Sequence, residues 1–284
     1  MAFDVARIPD NLKLAYAKDR VAVMVGAGAS MNSGLPNWGQ FLEAMIDHGE
    51  ANNLFSPAKA AQYRGIVGNG DKYLMLASSL KEDFGNSFDE LIEKVFIEPK
   101  PKPSSVHGAL VEMKNLQFVV TTNYDTLLER AFRNRDPDIS VCTFRDSGEI
   151  QRRLAKREFF ILKAHGDAAK PGNGVVLTDA DYRDLIFSQR AYQSLLTSMF
   201  TMYSIVFVGA SLADPEIKLL LSFIRDSFSA GSGPTHYALM AQEEITDIES
   251  ARWFKDFNVK FIPISNADKY AELPELLTAL HKSA

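Results

Sequence analysis

Six short stretches of the chain are almost wholly apolar and rich in Val, Ile and Phe: Arg20–Val25, Gln117–Thr122, Phe159–Lys163, Ser204–Gly209, His236–Met240 and Val259–Pro263. Continuous apolar runs, unlike alternating ones, suit strands covered on both sheet faces. Ser140–Phe144 is a seventh, weaker stretch of this kind. Between the stretches the apolar spacing becomes helical. Trp38, Phe41, Leu42, Met45 and Ile46 fall on one face after Pro36, and Tyr124, Leu127, Leu128 and Ala131 do so directly after the second stretch. Asp214-Pro215 joins a capping side chain to a proline at the first helical position and leads into Ile217, Leu220, Leu221 and Ile224. Strands alternating with helices predict an α/β fold, a Rossmann-like doubly wound parallel sheet.

Residues 51–103 interrupt that alternation. They hold no convincing strand, show helical periodicity over Tyr73–Leu80 and Phe88–Phe96, and end in Pro99-Lys100-Pro101-Lys102-Pro103, a stop signal and stiff link. This predicts a helical insert at 51–103 within a Rossmann-like domain formed by 1–50 and 104–284. Thr178–Tyr203 is also helical and is expected to pack with the insert.

Composition narrows the chemistry. Lys plus Arg number 31 against 36 Asp plus Glu, a net charge of −5 with no basic tract, so no direct nucleic-acid contact is expected. The single cysteine, Cys142, excludes an intramolecular disulfide and a cysteine-based zinc site, and no metal is expected. The N-terminus lacks a basic region followed by an apolar run, and no segment approaches the length of a membrane span. A cytoplasmic protein without membrane contact is the expectation.

Gly26-Ala27-Gly28-Ala29-Ser30 follows the first strand directly. Glycines there let the backbone turn tightly and let phosphate oxygens approach main-chain N–H groups, with the Ser30 hydroxyl nearby. Met31 stands where a dehydrogenase carries its third glycine, and no second strand with an acidic tip arrives about 20 residues on. Both departures argue against an ordinary dehydrogenase. Three more segments sit at carboxyl ends of strands, where open α/β sheets place ligands. They are Thr121-Thr122-Asn123-Tyr124-Asp125, Lys163-Ala164-His165-Gly166-Asp167 and Gly209-Ala210-Ser211. Each alone has an ordinary structural explanation: Asn123 caps a helix starting at Tyr124, His165 is a structural histidine, Gly209–Ser211 is a turn. Asp214 reads as a cap and His107 as packed at a helix start. Their joint placement at four successive strand ends points to a site.

In that order, Gly26-Ala27-Gly28-Ala29-Ser30, Ser33-Gly34-Leu35-Pro36, Thr122-Asn123-Tyr124-Asp125, His165-Gly166 and Gly209-Ala210-Ser211 resemble the Sir2 (sirtuin) family over about residues 20–216. Zinc-bearing sirtuins carry two Cys-x-x-Cys pairs, whereas this chain has one cysteine. Their Gly-Ile-Pro-Asp-Phe-Arg loop is here Gly34-Leu35-Pro36-Asn37-Trp38-Gly39, and the acyl-peptide strand motif is not recognisable. The pattern, including Val175-Val176-Leu177-Thr178 and Tyr182, is similar to the bacterial Sir2-like branch of antiphage defence, whose members hydrolyse NAD.

The resemblance implies cleavage of the nicotinamide–ribose bond of NAD, the substrate, to nicotinamide and ADP-ribose, with no metal. It implies that Asn123 holds a ribose hydroxyl or the attacking water, His165 acts as base, and Asp125 holds the carboxamide. Gly26, Ala27, Gly28 and Ser30 would carry the pyrophosphate, Gly209 and Ser211 the adenosine half, and Pro36, Trp38 and Thr122 would line the pocket. A homo-oligomer with a protein partner, such as a HerA-type ATPase or an Argonaute-like protein, is further implied, its contacts expected at the helical insert and the C-terminal helix Asp268–His281. An NAD-dependent deacylase and a non-catalytic NAD-binding subunit remain the alternatives at this point.

Overall fold

A computed structural model describes residues 3–210, 212–228 and 231–283. Seven strands form one sheet: β1 (Val21–Val25), β2 (Leu116–Thr121), β3 (Ser140–Thr143), β4 (Phe160–Lys163), β5 (Ser204–Val208), β6 (His236–Ala241) and β7 (Val259–Ile264). Their order is β3-β4-β2-β1-β5-β6-β7, and every neighbouring pair is parallel. All the apolar stretches, the weaker Ser140–Phe144 included, became strands.

The sheet is covered on both faces, which is why those stretches are continuously apolar. Along β1, Val21, Val23 and Val25 enter one core while Ala22 and Met24 enter the other. The first core is closed by the helices Asp10–Ala17, Ser105–Glu112 and Glu272–Lys282, through Tyr16, Leu110, Leu276 and Leu277. The second is closed by Ser147–Lys156, Asp179–Phe187, Arg190–Met202 and Pro215–Ser227, through Ile150, Tyr182, Phe200 and Leu221.

Between β1 and β2 the chain is helical, with Trp38–Ala51, Pro57–Val67, Tyr73–Phe84 and Phe88–Phe96 among its elements. Their apolar faces share a third core, which includes Met45, Ile46, Leu76, Leu80 and Ile92. Leu35, Leu127, Val175 and Leu177 also enter it. Those residues lie on the segments that follow β1, β2 and β4, so this helical layer rests against the carboxyl ends of those strands. A Lys81–Asp181 ion pair at 2.8 Å ties it to the helix Asp179–Phe187.

Two sequence expectations change. The helix after β2 begins at Leu127, not Tyr124. Thr121 Oγ1 accepts from the Asn123 N–H at 3.0 Å and Asp125 Oδ1 accepts from the Leu127 N–H at 2.9 Å, which holds 122–126 in a hydrogen-bonded turn. The C-terminal helix expected over Asp268–His281 is broken into Ala267–Tyr270 and Glu272–Lys282, with Tyr270 at φ +61°.

His236 opens β6 and is buried, and its Nδ1 accepts the Ile205 N–H at 3.1 Å, which requires the neutral ring. Burial pushes its pKa from 6.5 down to about 4. The unfolded chain therefore takes up this proton at higher pH than the folded one, so His236 costs stability as pH falls from 6.5 towards 4. His236→Gln retains an acceptor but does not titrate. Between those pH values the wild type should lose about 3 kcal/mol relative to the variant, read by denaturant unfolding. A difference that stays constant with pH would contradict this.

Candidate active site

Sheet register sets the site. Val25 pairs with both Thr121 and Val208, and Thr121 pairs with Lys163, so β4, β2, β1 and β5 end level with one another. The loops carrying Gly26–Ser30, Thr122–Asp125, Ala164–Asp167 and Gly209 therefore leave the sheet side by side. From β1 the chain winds to one side through β2, and β5 lies on the other, which makes the β1–β5 boundary a topological switch point.

There the first and last of these loops are joined backbone to backbone. The Gly26 N–H donates to Val208 O at 3.0 Å and the Gly28 N–H to Gly209 O at 2.9 Å. Gly209 has φ +58°, and a Cβ on it would lie 2.4 Å from the Ala29 nitrogen. A Cβ on Gly26 would lie 2.5 Å from the Ala210 Cα. Loop packing thus demands these glycines whether or not a phosphate rests on them. Ser211 lies outside the described residues.

The one-turn helix Gly28–Met31 turns Ser30 inward, where it is 2% exposed. Its hydroxyl donates to Asp125 Oδ2 at 2.8 Å and accepts from Asn123 Nδ2 at 3.0 Å. The same Asn123 Nδ2 donates to Gly26 O at 3.0 Å. Three predicted site residues, Ser30, Asn123 and Asp125, are thus one buried hydrogen-bonded group. Asn123 does not cap a helix, and its side chain crosses from the β2 loop to the β1 loop. His107 lies at the start of Ser105–Glu112, its Nδ1 accepting the Ser104 N–H at 3.1 Å. Burial holds its pKa below the ordinary value against the opposing charge of Asp125.

Lys163, the last residue of β4, is 0% exposed, and the sequence assigns it no role beyond its place in the Lys163–Asp167 segment. Its Nζ bonds Glu129 Oε1 at 2.6 Å and Asp167 Oδ1 at 2.8 Å, and donates to the carbonyls of Asp125 at 2.6 Å and Tyr124 at 3.0 Å. It therefore grips the turn that presents Asn123 and Asp125. Burial opposes its charge, but Glu129 and Asp167 outweigh burial and raise its pKa.

His165 occupies on β4 the place Asn123 occupies on β2, two residues beyond the paired Lys163 and Thr121. It is buried, with the Tyr182 ring edge-on at 5.3 Å, and its Nε2 lies 3.6 Å from Glu216 Oε2 and 3.7 Å from Asp214 Oδ2. Asp214 is the helix cap the sequence indicated, its Oδ1 accepting the N–H groups of Glu216 and Ile217 at 3.0 and 3.2 Å. Its other oxygen accepts from Tyr182 OH at 2.9 Å. Glu216, 1% exposed, accepts from Gln193 at 2.6 Å and from Tyr192 OH at 3.4 Å. Sequence reading missed Glu216, because an acid in a first helical turn looks like a complement to the helix dipole. His165, Asp214 and Glu216 bring ligand-type atoms within 4.8 Å of one another. Every carboxylate oxygen in the group already accepts from a protein donor, which makes it a hydrogen-bonded charge cluster.

The remaining predicted residues are peripheral to these contacts. Trp38 opens the helix Trp38–Ala51, behind an Asn37–Gln40 capping box, and lies 5.9 Å from Tyr73 in the helical layer. Pro36, Ala27 and Thr122 are half-buried. A surface cavity of about 330 Å³, lined by Asp247, Phe254 and Lys260 among others, lies at the edge strand β7 and shares no residue with the strand-end loops.

The model of the SIR2-like domain family matches residues 117–262, more than half of the chain, from β2 into β7. The chain belongs to the SIR2-like family. The matched region of this SIR2-like chain contains Asn123, Asp125, His165, Asp214 and Glu216. The chain is 29% identical over 216 residues to Defense-associated sirtuin 2 of Bacillus subtilis, covering 74% of this chain and 20% of that protein. It is 25% identical over 287 residues to the NAD(+) hydrolase ThsA of Bacillus cereus (strain MSX-D12), covering 94% of this chain and 55% of the relative. The NAD(+) hydrolase ThsA of Acinetobacter baumannii (strain 532279) is 25% identical over 243 residues, with 84% and 46% covered. The chain thus spans about half the length, or less, of these relatives. Among the described residues, no helix is long and apolar enough to cross a membrane.

Proposed function

We propose that this SIR2-like chain hydrolyses NAD at the nicotinamide–ribose bond, giving nicotinamide and ADP-ribose, as an effector of antiphage defence. The observation that carries the reading is the buried Ser30–Asn123–Asp125 group, level with His165 and beside a switch point of the sheet. Relatives named for NAD hydrolysis and for defence support it.

The chemistry fits these residue types. Nicotinamide carries positive charge in NAD and departs neutral, so bond cleavage needs no strong general acid. The ribose gains oxocarbenium character, which calls for positioning, electrostatic stabilisation and a water. In this reading Asn123 turns its amide from Ser30 to a ribose hydroxyl or the attacking water. His165 takes a proton from the water, directly or through a ribose hydroxyl. Asp125 holds the carboxamide, and the Gly26–Ser30 loop holds the pyrophosphate. The adenosine half rests on the Gly209–Ser211 segment, and Trp38 shields the nicotinamide end. The protein works as a homo-oligomer under control of a partner protein.

No metal takes part in this scheme, and protein purified without added metal should hold well under one zinc per chain by elemental analysis. Stoichiometric zinc whose removal unfolds the protein would contradict it.

The function is tested by supplying NAD with and without an acyl-lysine peptide and separating the products. Equal turnover without peptide, yielding ADP-ribose, is expected. Turnover that needs the peptide and removes one acyl group per NAD would make the protein a deacylase instead.

A further inference from the structure

We propose that Glu216 and Asp214 are positioning residues for His165: together they hold the ring by its Nε2 edge and keep a proton on it at rest. The placement carries this inference. Nε2 is buried without a hydrogen-bond partner at direct distance, yet faces two carboxylates at 3.6 and 3.7 Å. Its distances to one oxygen of each acid are nearly equal, so a proton on Nε2 is attracted by both. Neither carboxylate is free to swing away. Asp214 is fixed by Tyr182 and by two N–H groups of the helix it caps, and Glu216 by Gln193 and Tyr192.

Charge accounting favours the proton. With a neutral ring, the buried Glu216 carboxylate and the Asp214 carboxylate, 14% exposed, face no cationic group among the described residues, which is costly in a low-dielectric interior. With an imidazolium, one net charge remains and both acids gain a partner. The groups facing His165 are Asp214 and Glu216 from the β5 loop and helix Pro215–Ser227, and the Tyr182 phenol from Asp179–Phe187. Tyr192 from Arg190–Met202 reaches the ring only through Glu216. The nearby cation, Lys163, is bound by Glu129 and Asp167. Burial works against charge on His165, but the two carboxylates prevail and raise its pKa, while burial also raises that of Glu216.

The inference rests on the NAD-cleaving reading only for its catalytic consequence. A base must be neutral to accept a proton, so NAD turnover should rise with pH as His165 titrates, and an imidazolium at rest would repel the cationic nicotinamide. Removing one acid should move that rise to lower pH.

The test is a nuclear magnetic resonance titration of the five histidines, with His165 assigned by its loss in His165→Gln, in wild type, Glu216→Gln and Asp214→Asn. Both variants keep shape and an oxygen acceptor, and either one suffices should the other fail to fold. The His165 midpoint should lie above the ordinary histidine value in the wild type and fall by about 1–3 pH units in the variants, the scale for losing a charge at this distance. The acid limb of kcat/KM for NAD should move with it. A His165 midpoint unchanged in a folded variant overturns the proposal, whether or not the protein cleaves NAD. Absence of turnover with a shifted midpoint would instead count against the NAD reading alone. A midpoint that shifts while the kcat/KM limb stays still would overturn the link to catalysis.

Discussion

Asn123→Ala and His165→Ala should each lower NAD turnover by at least about 100-fold, the scale for losing a positioned hydrogen bond or a general base. The two residues stand at equivalent places on adjacent strands, one donating into the Ser30–Asp125 group and the other held against two acids. Their losses should differ in kind. Asn123→Ala removes bonds to Gly26 and Ser30 and leaves the Ser30–Asp125 bond in place, so NAD binding should weaken along with turnover. His165→Ala leaves that group untouched and should lower kcat far more than it alters binding. His165→Gln, which fills the space between the acids, should be as inactive as the alanine variant while unfolding more like the wild type. Near-wild-type turnover by either alanine variant, with circular dichroism unchanged, would remove that residue from the mechanism.

Lys163→Ala should cost about 3–5 kcal/mol of folding stability in urea unfolding, the range for stripping a buried charge of its partner. Glu129 is 3% exposed and would keep a carboxylate with its cation gone, while burial already raises its pKa. The carbonyls of Tyr124 and Asp125 would lose a donor as well. Lys163→Ala with Glu129→Gln should recover part of the loss, because the stranded charge is removed. A cost below about 1 kcal/mol for the single variant would show that water or a rearranged side chain replaces the ammonium.

The fold was legible because the strands are buried on both faces: a run such as Val21–Val25 is wholly apolar because its alternate residues enter two cores. The candidate site was legible as an order of segments, since strand ends are where open sheets place ligands. Which side chains meet there was not. The Asn123–Ser30 bond spans 93 residues and exists only through the level register of β1 and β2. The turn at 122–126 read as helix because Tyr124 and Leu127 share helical spacing, while the side-chain bonds of Thr121 and Asp125 carry no periodic signal. Lys163, named only as part of its segment, and Glu216 carry no role in the sequence because a charged residue gives no sign there of burial; each is buried because its partners arrive from distant segments. Trp38 is expected at the pocket from its place in a loop motif, and its neighbour Tyr73 opens a helix that the periodicity indicates but whose packing against Trp38 it does not.

The most direct measurement is a product balance: purified protein with NAD alone, products separated by chromatography and identified by mass. Nicotinamide and ADP-ribose should appear one for one with NAD lost, and both should vanish in Asn123→Ala combined with His165→Ala. NAD left intact across a range of protein concentrations, while the folded protein still binds it, would contradict hydrolysis and leave a binding site without the reaction.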